Sequence, residues 1–132
     1  MENKTCPCSK DRSYSECCEP FHKGLKLAPT AEALMRSRYS AFVVANVDYL
    51  ESTLVRKERR AFDKKAALQW ATKSKWLGLE IVSTVDGKEG DETGMVEFIA
   101  KYELKGEKQE HHEKSLFRKN DGKWLYVMGE IV

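Results

Sequence analysis

The stretch that decides the fold class is residues 96–104, which read VEFIAKYEL. Apolar side chains occur at every second residue of this stretch, namely Val96, Phe98, Ala100, Tyr102 and Leu104. A period of two places these side chains on one face of a β-strand. The opposite face is largely polar, as expected when one side of an antiparallel sheet packs on a core.

Further strand signals lie on both sides of this stretch. Upstream, a strand is predicted to begin near Trp76, and a polar loop covers residues 86–94. Downstream, a third strand is predicted over about 108–118, and Asn-Asp-Gly at 120–122 is a strong hairpin signal. On the first strand the side chains predicted to share one face are Leu77, Leu79 and Ile81, and on the last strand they are Trp124, Tyr126 and Met128.

The first half of the chain is predicted to be helical. Apolar residues recur at helical spacing over 31–45, with Thr30 as the N-cap. Asp48 to Glu51 has the pattern of a capping box and predicts a short second helix, and a third is predicted over about 59–73. Helices followed by strands indicate an α+β domain, with helices packed on one face of an antiparallel sheet.

One arginine lies within the apolar stripe of the first helix. Arg38 falls among the side chains that this helix is expected to bury. A buried guanidinium is costly unless it is paired. Either Arg38 reaches an internal carboxylate or a wet cavity, or its stem packs while its head reaches water.

All four cysteines of the chain lie within its first 18 residues, as a C-x-C pair and a C-C pair separated by eight residues. Four sulfurs so placed can surround one tetrahedral ion, and zinc suits such a site. Two disulfides, redox-active thiols and unrelated free thiols are the alternatives. His22 follows four residues after the last cysteine and could replace one ligand.

Composition and sequence ends limit the location and the partners. Neither an apolar run of about 18 residues nor an N-terminal signal-like stretch is present, so we expect a cytoplasmic protein without a membrane span. Reducing conditions there disfavour disulfides. The net charge is only +2, which makes nucleic-acid binding unlikely even though residues 56–60 are locally basic. RNA or ribosome association is kept as a further alternative.

Several stretches together resemble known sequence families. Cys6-Pro7-Cys8, followed by YSECC at 14–18, resembles the SEC-C zinc-binding motif. Residues 29–41, PTAEALMRSRYSA, look like the signature of the uncharacterised bacterial YchJ-like family. The pieces that agree with it further along the chain are residues 76–81, 96–98, 112–117 and 122–127.

The resemblance implies a fold and a metal rather than a reaction. It implies a SEC-C zinc-binding motif and linker at 1–29, then a cystatin-like cone of the nuclear transport factor 2-like (NTF2-like) type at 30–132. The implied zinc ligands are Cys6, Cys8, Cys17 and Cys18. Four thiolates leave zinc no open position, so the metal is expected to be structural. A homodimer formed through the sheet is expected by fold analogy.

Cone-shaped folds of this type often enclose a pocket between sheet and helices. Because neighbouring strand residues face opposite ways, Glu113, Ser115 and Phe117 are expected on one face and His112 on the other. Glu113 is then expected to pair with Arg38 in the pocket. The aromatic candidates for the pocket are Tyr39, Tyr49, Trp70, Trp76 and Trp124.

Two interpretations of these polar residues stay open. Arg38, Glu113 and Ser115 could satisfy one another in a buried structural network. Alternatively, Glu113 or His112 could act with Arg38 in a pocket enzyme of hydratase, isomerase or hydrolase type. The leading hypothesis is a zinc-binding protein that acts by binding a protein partner or a small ligand.

Overall fold

Helices precede a four-stranded sheet, which confirms the predicted α+β class. The computed structural model describes residues 5–8 and 11–132, so residues 1–4, 9 and 10 of the predicted metal module lie outside the described residues. After a 3-10 turn at Tyr14–Glu16, the helices are α1 (Glu19–His22), α2 (Ala31–Val43), α3 (Val47–Ser52), α4 (Arg56–Arg59) and α5 (Lys64–Lys73). The strands are β1 (Lys75–Asp86), β2 (Thr93–Leu104), β3 (Glu107–Asn120) and β4 (Lys123–Ile131).

The sheet is an antiparallel meander in the order β1-β2-β3-β4. The hairpin between β3 and β4 turns at Asp121 and Gly122, whose φ angles are 50° and 77°. Two consecutive positive φ angles are what a two-residue hairpin of right-handed twist requires. The Asn-Asp-Gly signal therefore predicts this turn correctly.

Register shifts change which side chains face the core. The β1–β2 pairing skips Leu77, which is 44% exposed, while Trp76 and Leu79 face inward. The β3–β4 pairing similarly skips Val127, and Met128 is 57% exposed. The prediction that Leu77 shares a face with Leu79, and Met128 with Tyr126, is therefore wrong. A bulge inserts one residue, so the alternation of period two changes phase there.

Two helix ends differ from the sequence-based expectation. The first long helix ends at Val43 rather than Ala45, because Ala45 adopts a φ of 59°. The cap of α3 is Asn46, whose side chain accepts a hydrogen bond from the backbone N–H of Tyr49 at 3.1 Å. The capping box predicted at Asp48 is thus wrong by two residues.

The third helix, predicted over about 59–73, corresponds to α5, which begins five residues later, and the short helix α4 lies just before it. Residues 60–63 leave the helical path between them. Asp63 then caps α5 by accepting a hydrogen bond from the backbone N–H of Ala66 at 3.0 Å. An aspartate that bonds the third helical N–H is a standard helix start, so the break is encoded locally.

Helix α2 lies against the sheet at the centre of the protein. Its buried residues include Leu34, Met35 and Tyr39, which join one apolar cluster with side chains of all four strands. The indole N–H of Trp124 on β4 donates to the carbonyl of Pro29 at 3.2 Å and so fixes the start of this helix. The cluster also contains the four cysteines.

Two glycines allow the β1–β2 connection to approach the start of α2. The carbonyl of Gly87 accepts a hydrogen bond from the backbone N–H of Ala31 at 2.9 Å. A Cβ atom at Gly94 would collide with the backbone of Gly87, which itself abuts Ala31. This connection therefore depends on the absence of a side chain.

We predict that Gly94→Ala lowers the free energy of unfolding by about 1–3 kcal/mol, because the added methyl group overpacks the contact. Urea denaturation followed by circular dichroism measures the change. Gly90→Ala is the matched control, since a Cβ atom there meets open space. Equal effects of the two substitutions would contradict the packing argument.

Candidate metal centre and aromatic cavity

The four cysteines converge on one point, although eight residues separate the two pairs in the sequence. All four are buried and free of disulfides, and their sulfur atoms lie within 4.8 Å of one another. Sγ of Cys8 and Sγ of Cys17 are 3.7 Å apart, and Sγ of Cys17 and Sγ of Cys18 are 4.0 Å apart. Thiolates about 2.3 Å from a tetrahedral ion lie about 3.8 Å from one another. The cluster could therefore hold a metal ion.

The protonation pattern of the thiols also suits a cation. Hydrogen bonds from Cys18 and Cys8 lower the pKa of the Cys6 thiol. Hydrogen bonds with Cys6 and Cys8, together with burial, raise the pKa of Cys18. A divalent cation bound by the sulfurs would favour their thiolate forms and so oppose the raised pKa of Cys18.

Side chains of helix α2 contact the cysteine cluster. Oγ of Ser40 lies 3.5 Å from Sγ of Cys6. Nη1 of Arg36 donates to the carbonyl of Cys8, and Nε of Arg36 pairs with Glu32 at 2.9 Å. These contacts anchor the metal module to the helix that also forms the core.

His22 is occupied by hydrogen bonds rather than aimed at the sulfurs. Its Nε2 lies 2.8 Å from the carbonyl of Ser37, so this nitrogen carries the proton. Nδ1 then accepts from the hydroxyl of Tyr14 at 2.6 Å. Burial lowers the pKa of His22, which favours this neutral form. The arrangement does not support His22 as a substitute ligand.

A cavity of about 380 Å³ lies between the sheet and the helices. Its walls are aromatic: Phe42 of α2, Trp70 of α5 and Trp76 of β1 lie with ring centroids 5.0–5.7 Å apart. Tyr39 packs edge-on against Trp76 at 5.8 Å. The predicted pocket residues Tyr49 and Trp124 lie outside this lining, since Tyr49 bonds Ser37 and Trp124 is buried in the core.

Arg38 is buried and lines the cavity. Its Nη1 donates to the carbonyl of Leu50 at 2.9 Å and to Oγ1 of Thr53 at 2.5 Å. Its guanidinium also lies 4.6 Å from the ring centroid of Tyr126. Burial lowers the pKa of Arg38 to about 10, so the side chain stays charged at neutral pH.

Glu113 lines the cavity and accepts three hydrogen bonds. The donors are Ser115 at 2.6 Å, Tyr126 at 2.7 Å and His111 at 2.6 Å. Burial by itself would raise the pKa of Glu113, but these bonds outweigh it and the net pKa is lowered. Burial and the bond to Glu113 raise the pKa of Tyr126, which keeps its hydroxyl a donor.

The expected direct pair between Arg38 and Glu113 is replaced by an indirect one. Among the residues that the structure describes, no ion pair or hydrogen bond joins these two side chains. Tyr126 lies between them, with its ring under the guanidinium and its hydroxyl on the carboxylate. The sequence predicts that Arg38 and Glu113 lie together in the pocket. It does not predict the connection through Tyr126, because this residue lies on β4 and not on the strand of Glu113.

The two neighbouring histidines of β3 face opposite sides of the sheet. His112 bonds Glu97 at 2.7 Å and does not line the cavity, as the alternation predicts. His111 lines the cavity and bonds Glu113, a position that the sequence analysis missed. The same alternation, extended two residues back from Glu113, would have found it.

Gly129 is the second residue that the sequence analysis missed. The bulge in β4 places it opposite Ser115. A Cβ atom at this position would collide with the Glu113 carboxylate and the Tyr126 hydroxyl. The Glu113 network thus needs glycine here.

We predict that Glu113→Gln destabilises the protein by about 1–3 kcal/mol at pH 7, because hydrogen bonds to a buried charge are lost. The lowered pKa means that the charged form adds stability above the ordinary carboxyl value of 4.5 and loses it as pH falls. The difference in the free energy of unfolding between Glu113→Gln and the unchanged protein should therefore become smaller as the pH falls. Urea unfolding between about pH 7 and pH 4 measures it.

The exposed Glu130→Gln on β4 serves as the control for this series, with little change expected at either pH. A destabilisation by Glu113→Gln that stays constant across the whole range would contradict the assigned charge state.

Comparison with known proteins identifies the family. The sequence model described as "YchJ, middle NTF2-like domain" matches residues 30–129. A UPF0225 protein of Geobacter sulfurreducens is 45% identical over 124 residues, covering 94% of this chain and 77% of that protein. A UPF0225 protein of Streptomyces coelicolor is 43% identical over 132 residues, covering 100% of this chain and 99% of that protein.

A solved structure agrees with the fold. The solution structure of a SEC-C motif containing protein from Rhodopseudomonas palustris superposes with a TM-score of 0.89 at 35% identity, covering 98% of this chain and 99% of that one. Within the described residues, no helix has both the length and the apolar character needed to cross a membrane.

From the matching family model and the two relatives, the chain belongs to the UPF0225 family and carries its YchJ-type NTF2-like domain, as the SEC-C and YchJ-like resemblances predict.

Proposed function

We propose that this protein binds a small, planar molecule with a carbonyl or carboxyl oxygen in its NTF2-like domain, while a zinc ion stabilises the N-terminal module structurally. The observation that carries the proposal is an aromatic-walled cavity that also contains the buried charge of Arg38. In this proposed function, residues 1–29 are the SEC-C module, residues 30–132 are the binding domain, and the protein is cytoplasmic.

Zinc is proposed from the donor set. The four buried thiols supply the sulfur ligands that zinc prefers in structural sites. Within residues 5–8 and 11–29, the module has few other sources of stability, because its regular structure there is a 3-10 turn and one short helix. Metal binding and folding of such a segment are coupled.

The size and walls of the cavity favour a small, flat ligand. A volume of about 380 Å³ falls within the range of small-molecule sites in proteins. Phe42, Trp70 and Trp76 offer ring faces and edges on which a planar group can stack. Phe98 of β2 adds apolar surface on the sheet side.

Arg38 favours an acceptor oxygen on the ligand. Its Nη1 is used by Leu50 and Thr53. Among the described residues, no hydrogen-bond partner is found for its Nε and Nη2 groups. Guanidinium N–H groups can only donate, so the ligand group that satisfies them is a carbonyl or a carboxylate.

Other partners are less well supported by the geometry. The basic run at 56–60 is partly committed to the fold, since Arg59 donates to the carbonyl of Leu54 at 3.1 Å. Association with RNA, a protein partner or a second copy of the chain remains a prediction from the sequence.

We predict about one zinc ion per chain in protein purified under reducing conditions, measured by elemental analysis. Cys17→Ser should lower the zinc content well below one and also lower the melting temperature, because a ligand is lost and folding depends on the metal.

His22→Gln is the matched control and should keep the full zinc content, because His22 bonds Tyr14 and Ser37 instead of the metal. Folded, metal-free protein of the unchanged sequence would refute the proposal. So would zinc loss in His22→Gln together with zinc retention in Cys17→Ser.

We predict that 1-naphthoate binds more tightly than 1-naphthalenemethanol, which has the same rings without the carboxylate. Arg38→Met should weaken naphthoate binding about ten- to a hundredfold and affect the alcohol less, since a charge-assisted hydrogen bond is removed. Isothermal titration calorimetry measures both affinities.

Arg56→Met removes an exposed arginine outside the cavity and should leave both affinities unchanged. If Arg38→Met fails to fold, the comparison of the two ligands on the unchanged protein still tests whether the cavity prefers a carboxylate. Equal affinity for both ligands, or binding of neither, would contradict the proposal.

A further inference from the structure

We infer that His111 is a general base that removes a proton from carbon next to a ligand carbonyl, with Glu113 as the residue that positions it. This inference rests on the ligand-binding function proposed above and adds a reaction to it. The substrate class is a small planar or aromatic compound with an enolisable carbonyl group.

The hydrogen bond between the two side chains fixes the histidine tautomer. Nε2 of His111 lies 2.6 Å from Oε1 of Glu113. An ionised carboxylate only accepts hydrogen bonds, so Nε2 carries the proton of the neutral ring. Nδ1 is then the nitrogen with the free lone pair. Among the described residues, no hydrogen-bond partner is found for it.

Glu113 is held so that it can orient the imidazole and stabilise its positive charge. Its other oxygen accepts from Ser115 and Tyr126, which leaves Oε1 for His111. The side chain is only 10% exposed. When His111 gains a proton, the ring becomes a cation beside a buried carboxylate, and the pair is stabilised in a site of low polarity.

The position of His111 places the base in the ligand cavity. The ring packs edge-on against Trp70, with centroids 5.6 Å apart, and lies 6.1 Å from the ring of Phe98. Arg38 lines the same cavity. One cavity therefore contains an aromatic wall for the planar group, a cation for the carbonyl oxygen and a base for the adjacent C–H group.

The proposed step balances without any further reactant. Nδ1 of His111 takes the proton, and the C–H electron pair forms a carbon–carbon double bond. The carbonyl π electrons move to oxygen, and the resulting enolate oxygen is stabilised by Arg38. Return of a proton from Nδ1 to carbon restores the carbonyl compound. In D₂O the returned atom is deuterium, because the imidazole proton exchanges with solvent.

A purely structural role of the His111–Glu113 pair is the competing explanation. The neighbouring pair of His112 and Glu97, bonded at 2.7 Å on the other side of the sheet, provides an internal comparison. Both pairs have nearly the same bond length, but only His111 lines the cavity. A structural role predicts no reaction in either case, whereas our inference predicts one for His111 alone.

Phenylpyruvate is a suitable probe, because it combines an aromatic ring, a carboxylate and an enolisable CH₂ group. We expect the protein to accelerate hydrogen–deuterium exchange at this CH₂ group about 10²-fold or more over buffer, as is usual for general-base catalysis. Proton NMR in D₂O follows the exchange, and calorimetry measures binding of the same compound.

His111→Gln removes the base but retains an N–H donor for Glu113, so it should lose the acceleration and keep its fold and its affinity. Glu113→Gln should lower kcat with a smaller change in KM. His112→Asn is the matched control and should exchange at the unchanged rate.

The outcomes separate the two proposals. Binding without accelerated exchange overturns the inference and leaves the binding function intact. Equal loss of rate in His111→Gln and His112→Asn also overturns it. Absence of binding by phenylpyruvate and by the naphthalene probes refutes the binding function, and the inference with it. If Glu113→Gln does not fold, the comparison of His111→Gln with His112→Asn is sufficient.

Discussion

Helix α2 is buried on nearly all sides, and each polar side chain that it carries must therefore find a partner inside the protein. Arg36 and Ser40 meet the cysteine cluster, and Arg38 bonds the end of α3. Removing such a partner leaves a buried polar group unsatisfied, which costs more than the bond itself contributes. Polar bonds from α2 thus hold the cysteine cluster and the end of α3, while its apolar side chains pack on the sheet.

Two buried charges of opposite sign, Arg38 and Glu113, line the cavity and are kept apart by a neutral side chain. Tyr126 contacts Arg38 through its ring and Glu113 through its hydroxyl. A direct ion pair would leave fewer polar groups for a ligand. The indirect arrangement satisfies the carboxylate with neutral donors and His111, while part of the guanidinium retains its donor capacity. A site of this kind is preorganised, because its charged groups are fixed before a ligand enters.

Local patterns predict most of the strands and the four-cysteine cluster, because alternation and cysteine spacing depend only on residues that are near one another in the sequence. Bulges are the main failure: a glycine inside the strand lies close to each one, Gly78 near Leu77 and Gly129 near Val127, but which residue is inserted depends on the partner strand. The partners of Arg38 are equally hidden, because a backbone carbonyl such as that of Leu50 has no sequence signature. His111, by contrast, was within reach of the alternation argument.

The cysteine cluster shares a continuous apolar core with the NTF2-like domain, although the family match begins only at residue 30. Sγ of Cys6 contacts Ser40 of α2, and Cys8 provides a carbonyl for Arg36. A recombination breakpoint between the two regions would cut through this core rather than between two cores. Replacement of either the N-terminal segment or the domain by an unrelated sequence would therefore leave part of this core without its packing partners.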